Sequence, residues 1–172
     1  MFLNYLKNIF TKKRFKNRLS DVDNVISDDK IRSVGIIFDE NYFDAQSNMI
    51  SSLNSAGIPE KDVQVLVLKS KVKKSDSFGY PVFTPKDLSW RATFEKSEVR
   101  EFADKEFDLL INYYDVEKSA LLIVSHLSRA RFKVGFSSVD KKLNHFMINT
   151  YASEHQIFMD ELIKYLKILN KI

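Results

Sequence analysis

Apolar residues follow two rhythms along this chain, one of period three to four and one of short continuous runs, and each change of rhythm marks an element. Phe2, Leu3, Leu6, Ile9 and Phe10 recur at helical spacing, which predicts a short amphipathic helix followed at once by the basic cluster KKRFKNR. A polar connector, DVDNVISDD, then leads to SVGIIF at 33–38, the kind of apolar, β-branched run that a sheet covered on both faces requires. Beyond DENYFD, Ala45, Met49, Leu53 and Ala56 form a helical stripe. It stops at Gly57-Ile58-Pro59, where glycine can cap the helix and proline prevents its continuation. VQVLVL at 63–68 is a second buried strand, so these elements make a βαβ unit with a right-handed crossover.

Residues 69–90 read as loop plus one short strand within FGYPVF. Ser97 is placed to cap a helix over 98–105, with Glu98 and Glu101 in its first turn. FDLLINYY reads as a strand, residues from about 117 to 130 as a helix, KVGF as a strand, and 146–149 as a further apolar run. Ser153 and Gln156 match a capping box ahead of a last helix that should bury Phe158, Leu162, Tyr165, Leu166 and Leu169. This order predicts a three-layer α/β sandwich on a mostly parallel, Rossmann-like sheet: an arm over 1–20 and one domain over 31–172. Ligands of such sheets bind beyond the C-terminal strand ends, here the loops after Phe38, Leu68, Tyr113 and Phe136.

Charge changes this picture at one end only. Of the 27 lysines and arginines, six lie in the first twenty residues, where there is no acid, leaving 21 against 23 acidic residues elsewhere. The net +4 therefore belongs to the arm. A near-neutral body lacks the broad cationic array that nucleic acid demands, so that class of partner is disfavoured. The arm's Phe2, Leu6 and Phe10, with Lys12, Lys13 and Arg14 behind them, suit contact with a protein partner or an anionic membrane surface, and equally suit packing onto the domain's own surface. The chain has no cysteine, which removes disulfide and thiolate chemistry. With no secretory pattern and no stretch of bilayer-spanning length, a cytoplasmic location is expected, peripheral to the inner membrane face if the arm attaches there.

Three carboxylates, Asp39, Glu40 and Asp44, occupy the loop after the first strand, where a carboxylate can serve as a general base. The same residues can equally cap the next helix or sit solvated. That loop has no glycine, so neither a P-loop nor a dinucleotide fingerprint is present, and no cofactor is expected. His126, His145 and His155 are spaced like no metal motif, and Ser125 and His126 are helical neighbours that point apart, so neither metal nor a serine nucleophile is expected. Arg129, Arg131 and Lys133, between a helix and a strand, are the candidate anion-binding corner, their other role being to complement the helix C-terminus.

Two phrases resemble a known enzyme family. IRSVGIIFDENYFDAQSNMISSLNSAG with VQVLVL, and FDLLINYYDVEKSALLIVSHLSRARFKVGFS, are similar to the N-terminal half of heptosyltransferase-type GT-B glycosyltransferases. The resemblance implies that Asp44 stands where that family carries its proposed base, with Phe43 in place of the family's preceding glycine. It also implies that a donor-binding second domain is missing from this chain. The whole layout further resembles a small family of bacterial proteins with no activity attached. The expectation is a non-catalytic binding or accessory module. The alternatives are a small enzyme on a polar or anionic substrate, and a nucleic-acid accessory protein using KKRFKNR and the aromatic patch near Tyr80.

Overall fold

The computed structural model describes residues 29–73 and 75–172. The predicted arm, with Phe2, Leu6, Phe10, Lys12, Lys13 and Arg14, lies outside the described residues.

The strands are β1 (Val34–Asp39), β2 (Val63–Leu68), β3 (Val82–Phe83), β4 (Leu109–Tyr113), β5 (Phe132–Phe136) and β6 (Phe146–Ile148). The helices are α1 (Gln46–Ser55), α2 (Ser97–Asp104), α3 (Ser119–Leu127) and α4 (His155–Ile168). The strands form one sheet in the order β3-β2-β1-β4-β5-β6, with every neighbouring pair parallel. The sequence expectation of an α/β sandwich holds, and the sheet is wholly rather than mostly parallel. This is the doubly wound order in which the chain builds outward from β1 on one side and then returns to build outward on the other.

Strand alternation divides the core between two faces. Val34, Ile36, Phe38, Ile111 and Tyr113 meet α1 and α4 on one side. Ile37, Leu66, Leu110 and Tyr114 meet α2 and α3 on the other. The first face is dominated by rings: Tyr113 lies 5.2 Å from both Phe136 and Phe158, and its hydroxyl donates to the Ala152 carbonyl at 2.7 Å. Helix α3 is buried from Ser119 to Ser125, which explains the nearly unbroken apolar phrase SALLIVS.

Several predicted ends move. Gly57, just past the Ala56 cap of α1, takes φ +94°, a left-handed position that glycine occupies without strain, and the helix stops where the sequence predicts. Ser97 is the first residue of α2 rather than its cap, because its hydroxyl binds the Glu98 carboxylate at 3.1 Å while Lys96 takes the cap position. The capping box at Ser153 does not form: α4 starts at His155, with Thr150 bonding Glu154 and Gln156 bonding Asp160. Leu169 lies beyond the end of α4 and is exposed, and Met159 is buried in α4 beside Phe158, Leu162 and Leu166.

Candidate functional site

In a doubly wound sheet the crevice opens where successive connections diverge, here between β1 and β4 at their C-terminal ends. The side chains gathered there come from the 3-10 helix Glu40–Ala45 after β1, from the turn after β2, and from residues 114–118 after β4. Asp39, the last residue of β1, is 1% exposed. Its carboxylate meets the Lys118 ammonium at 2.5 Å and accepts the Asn41 N–H at 3.2 Å. Lys118 immediately precedes α3, so this ion pair ties the start of that helix to the end of β1.

The neighbouring carboxylates are held as firmly. Glu40 accepts both the backbone N–H and the hydroxyl of Ser70. Burial alone would raise the Glu40 carboxyl, but the Ser70 bonds, with Lys69 and Lys118 nearby, outweigh it and hold the group below the usual range. Asp115 accepts the Tyr42 hydroxyl at 2.8 Å and the Ala152 N–H at 3.3 Å, while its carbonyl accepts the Ser138 hydroxyl. Burial, with the Asp115 carboxylate beside it, pushes the Tyr42 hydroxyl up to about 12, so it remains a proton donor. The crevice thus presents carboxylate, amide, hydroxyl and ammonium groups in fixed orientations.

A family of unknown function, DUF6913, matches residues 7–169. The chain belongs to that family. No curated protein and no solved structure matches it.

Within this DUF6913 chain the three predicted carboxylates share one loop but not one environment. Asp39 is buried and Glu40 half-buried, both facing the lysines, whereas Asp44 is exposed on the 3-10 helix. The predicted cationic trio is not brought together. Arg129 meets Asp104 at 3.5 Å, and Arg131 meets Asp29 at 3.2 Å, Asp108 at 3.8 Å and Glu106 at 3.9 Å, all ahead of β5 at the opposite end of the sheet from the crevice. Lys133 turns inward instead and donates to the Ser125 carbonyl at 2.9 Å, in the last turn of α3. Burial lowers its ammonium to about 8. Burial, followed by the nearby Lys133 charge, also lowers His126.

The aromatic patch around Tyr80 is half-buried and packed ring on ring: the Tyr80 ring lies 4.3 Å from Phe43 and 5.8 Å from Phe78. Among the described residues, no three histidine, aspartate or glutamate side chains are grouped to hold a metal ion, and no helix is long and apolar enough to cross a membrane.

Sequence reasoning missed a buried polar chain of the DUF6913 domain. The Tyr114 hydroxyl and Ser125 Oγ are 2.7 Å apart, Ser125 Oγ donates to Asn112 Oδ1 at 2.7 Å, and Asn112 Nδ2 donates to Asn144 Oδ1 at 2.8 Å. Asn144 reaches Asn112 by lying over Gly135, where a Cβ would stand 2.7 Å from its amide nitrogen. An asparagine inside the otherwise apolar strand phrase LLINY was the one available signal, since a buried amide demands partners.

Proposed function

We propose that this protein is a binding module, built like the acceptor half of a GT-B glycosyltransferase, whose crevice between β1 and β4 takes a small hydroxyl-rich ligand without transforming it. One observation carries the reading: apart from Asp44, which is exposed, the crevice carboxylates are committed to internal partners. Asp39 is paired with Lys118, Glu40 with Ser70, and Asp115 with Tyr42 and Ala152. A general base needs an accessible lone pair and a pKa near the working pH, and the lowered Glu40 carboxyl offers a poor one. Carboxylates held in place are suited to another task, since fixed acceptors and donors orient a polyol at little entropic cost. The strand order supports the placement of the ligand, and the glycine-free first loop favours hydroxyl groups over a phosphate.

The test is titration of the isotopically labelled full chain with monosaccharides, disaccharides and nucleotide sugars, followed by amide NMR shifts. Saturable shifts confined to Asn41, Tyr42, Ser70 and Lys118, without turnover, are the expected result. Turnover of a nucleotide sugar that disappears in Asp44→Asn would overturn the reading.

A further inference from the structure

Strand β2 is longer than the strand that covers it. β3 pairs only with Val67 and Leu68, so among the described residues Val63 to Leu66 have no strand neighbour on their outer side. The sequence itself stops the ladder. The Val67 N–H donates to the Pro81 carbonyl at 3.1 Å and the Lys69 N–H to the Phe83 carbonyl at 2.8 Å. One step back, the Val65 carbonyl would receive the N–H of residue 81, and proline has none. Val65 is left with its N–H and carbonyl turned outward, although the residue is only 8% exposed. Backbone groups so placed seek partners that no described strand supplies.

These groups face a cleft of about 590 Å³ between α1 and α2, beside the first half of β2 and away from the crevice at the C-terminal strand ends. Its two walls differ in character. On the α1 side Ile50, Val63 and Val65 supply apolar surface. On the α2 side stand Glu98 and Glu101, and Glu60, just ahead of β2, adds a third carboxylate. Among the described residues none of these glutamates forms an ion pair, and the Lys105 ammonium at the end of α2 lies over the Phe107 ring at 5.0 Å. A further hollow of about 460 Å³ shares Gln46, Ile50 and Glu60 with the cleft and continues along α1 past Ser47, Ser51 and Asn54, so the site is elongated.

An open strand edge at the floor of an elongated groove is the seat of an extended peptide, whose own backbone completes the ladder. Side chains of an added strand point alternately to the two faces of the sheet. Every second residue would therefore meet Ile50 on the α1 side, and those between would meet Glu98 and Glu101 on the α2 side. The first set suits apolar side chains and the second suits lysine or arginine. A second copy of this chain is a poor occupant, because it would bring its own Glu60, Glu98 and Glu101 against these.

We infer that the open edge of β2, between α1 and α2, docks an extended peptide of another protein in which basic and apolar residues alternate.

Amide hydrogen exchange on the full-length chain, alone and with a capped peptide of alternating lysine and valine, tests this at single-residue resolution. Val65 should exchange fast in the free protein and slow by about tenfold with the peptide bound, the weight of one net hydrogen bond. Val67, bonded to Pro81, should not change and so certifies that the fold is intact. Glu98→Lys combined with Glu101→Lys should abolish the slowing at Val65 while Val67 stays protected. Slow exchange at Val65 without peptide, no slowing with it, or equal slowing in the charge-reversed variant overturns the proposal. Equal slowing by the same peptide N-methylated along its backbone also overturns it, since that peptide keeps its charges and loses its strand hydrogen bonds. Protection of Val65 that grows with protein concentration in the absence of peptide overturns it in favour of a second copy as occupant.

Discussion

The two ends of the sheet hold their charges in opposite ways. At the C-terminal end Asp39 and Lys118 meet at 2.5 Å with the carboxylate side chain 2% exposed. At the N-terminal end Arg131 spreads over Asp29, Asp108 and Glu106 at 3.2–3.9 Å while remaining 48% exposed. A desolvated charge depends on its partner, whereas exposed charges are already served by water and screened by salt. Chemistry that needs fixed geometry therefore belongs at the end with Asp39. The arginines that look prominent in the sequence sit where geometry is loosest.

Breaking the buried pair should have the largest effect. Lys118→Met leaves the Asp39 carboxylate in the interior with no cation, and should cost roughly 2–4 kcal/mol in urea unfolding, the ammonium's partial exposure softening the loss of a wholly buried pair. Adding Asp39→Asn to that variant should recover a good part of the loss. If the double variant is no more stable than Lys118→Met, the two groups are not a coupled pair.

Asp108 comes next, and it sharpens the contrast because it is the anchored member of the loose end. One of its oxygens accepts the Arg32 N–H, the Ser33 N–H and the Ser33 hydroxyl, each at 3.0 Å, which fixes the chain as it enters β1. Asp108→Ala should cost about 1–3 kcal/mol through those lost partners. Burial raises the Asp108 carboxyl, but these bonds and Arg131 outweigh it and hold the group below its usual range. Its contribution is therefore present above the ordinary aspartate pKa and lost as pH falls through the lowered one. Urea midpoints of parent and variant should accordingly converge in acid; a gap that stays constant from neutrality to below pH 3 would remove Asp108 as the cause.

The strands were legible because burial on both faces leaves long apolar phrases: VQVLVL is β2 residue for residue. The stop after α1 was legible because only glycine takes φ +94° without strain. Helix starts were not, since Ser97 and Ser153 fit cap statistics but their surroundings gave the hydrogen bonds to Glu98, and to Glu154 from Thr150. In the crevice, Asp39 and Glu40 were readable from their place after β1. Lys118 was not, because 79 residues of chain separate it from Asp39 and only the jump from β3 back to β4 brings them together. Asn112 and Asn144 escaped for the same reason: their bond crosses from β4 to the loop before β6.

Lys133 tests whether the contrast is one of ends or of burial. It lies on β5 two residues from exposed Arg131, yet is 6% exposed, with its ammonium on the Ser125 carbonyl. Its folded pKa is about 8, against 10.5 for an ordinary lysine. Between those values the folded state has released the proton while the unfolded chain still binds it, so stability rises with pH across that window and is lost as pH falls through about 8. Relative to Lys133→Met, the parent should gain roughly 1–2 kcal/mol between pH 7.5 and 10. Arg131→Ala should show the smallest effect, below about 1 kcal/mol and shrinking with added salt, as expected for exposed pairs. A Lys133→Met difference that stays level with pH, beside an Arg131→Ala loss that resists salt, would reverse the comparison. The anchored charges of the molecule would then lie at the N-terminal end.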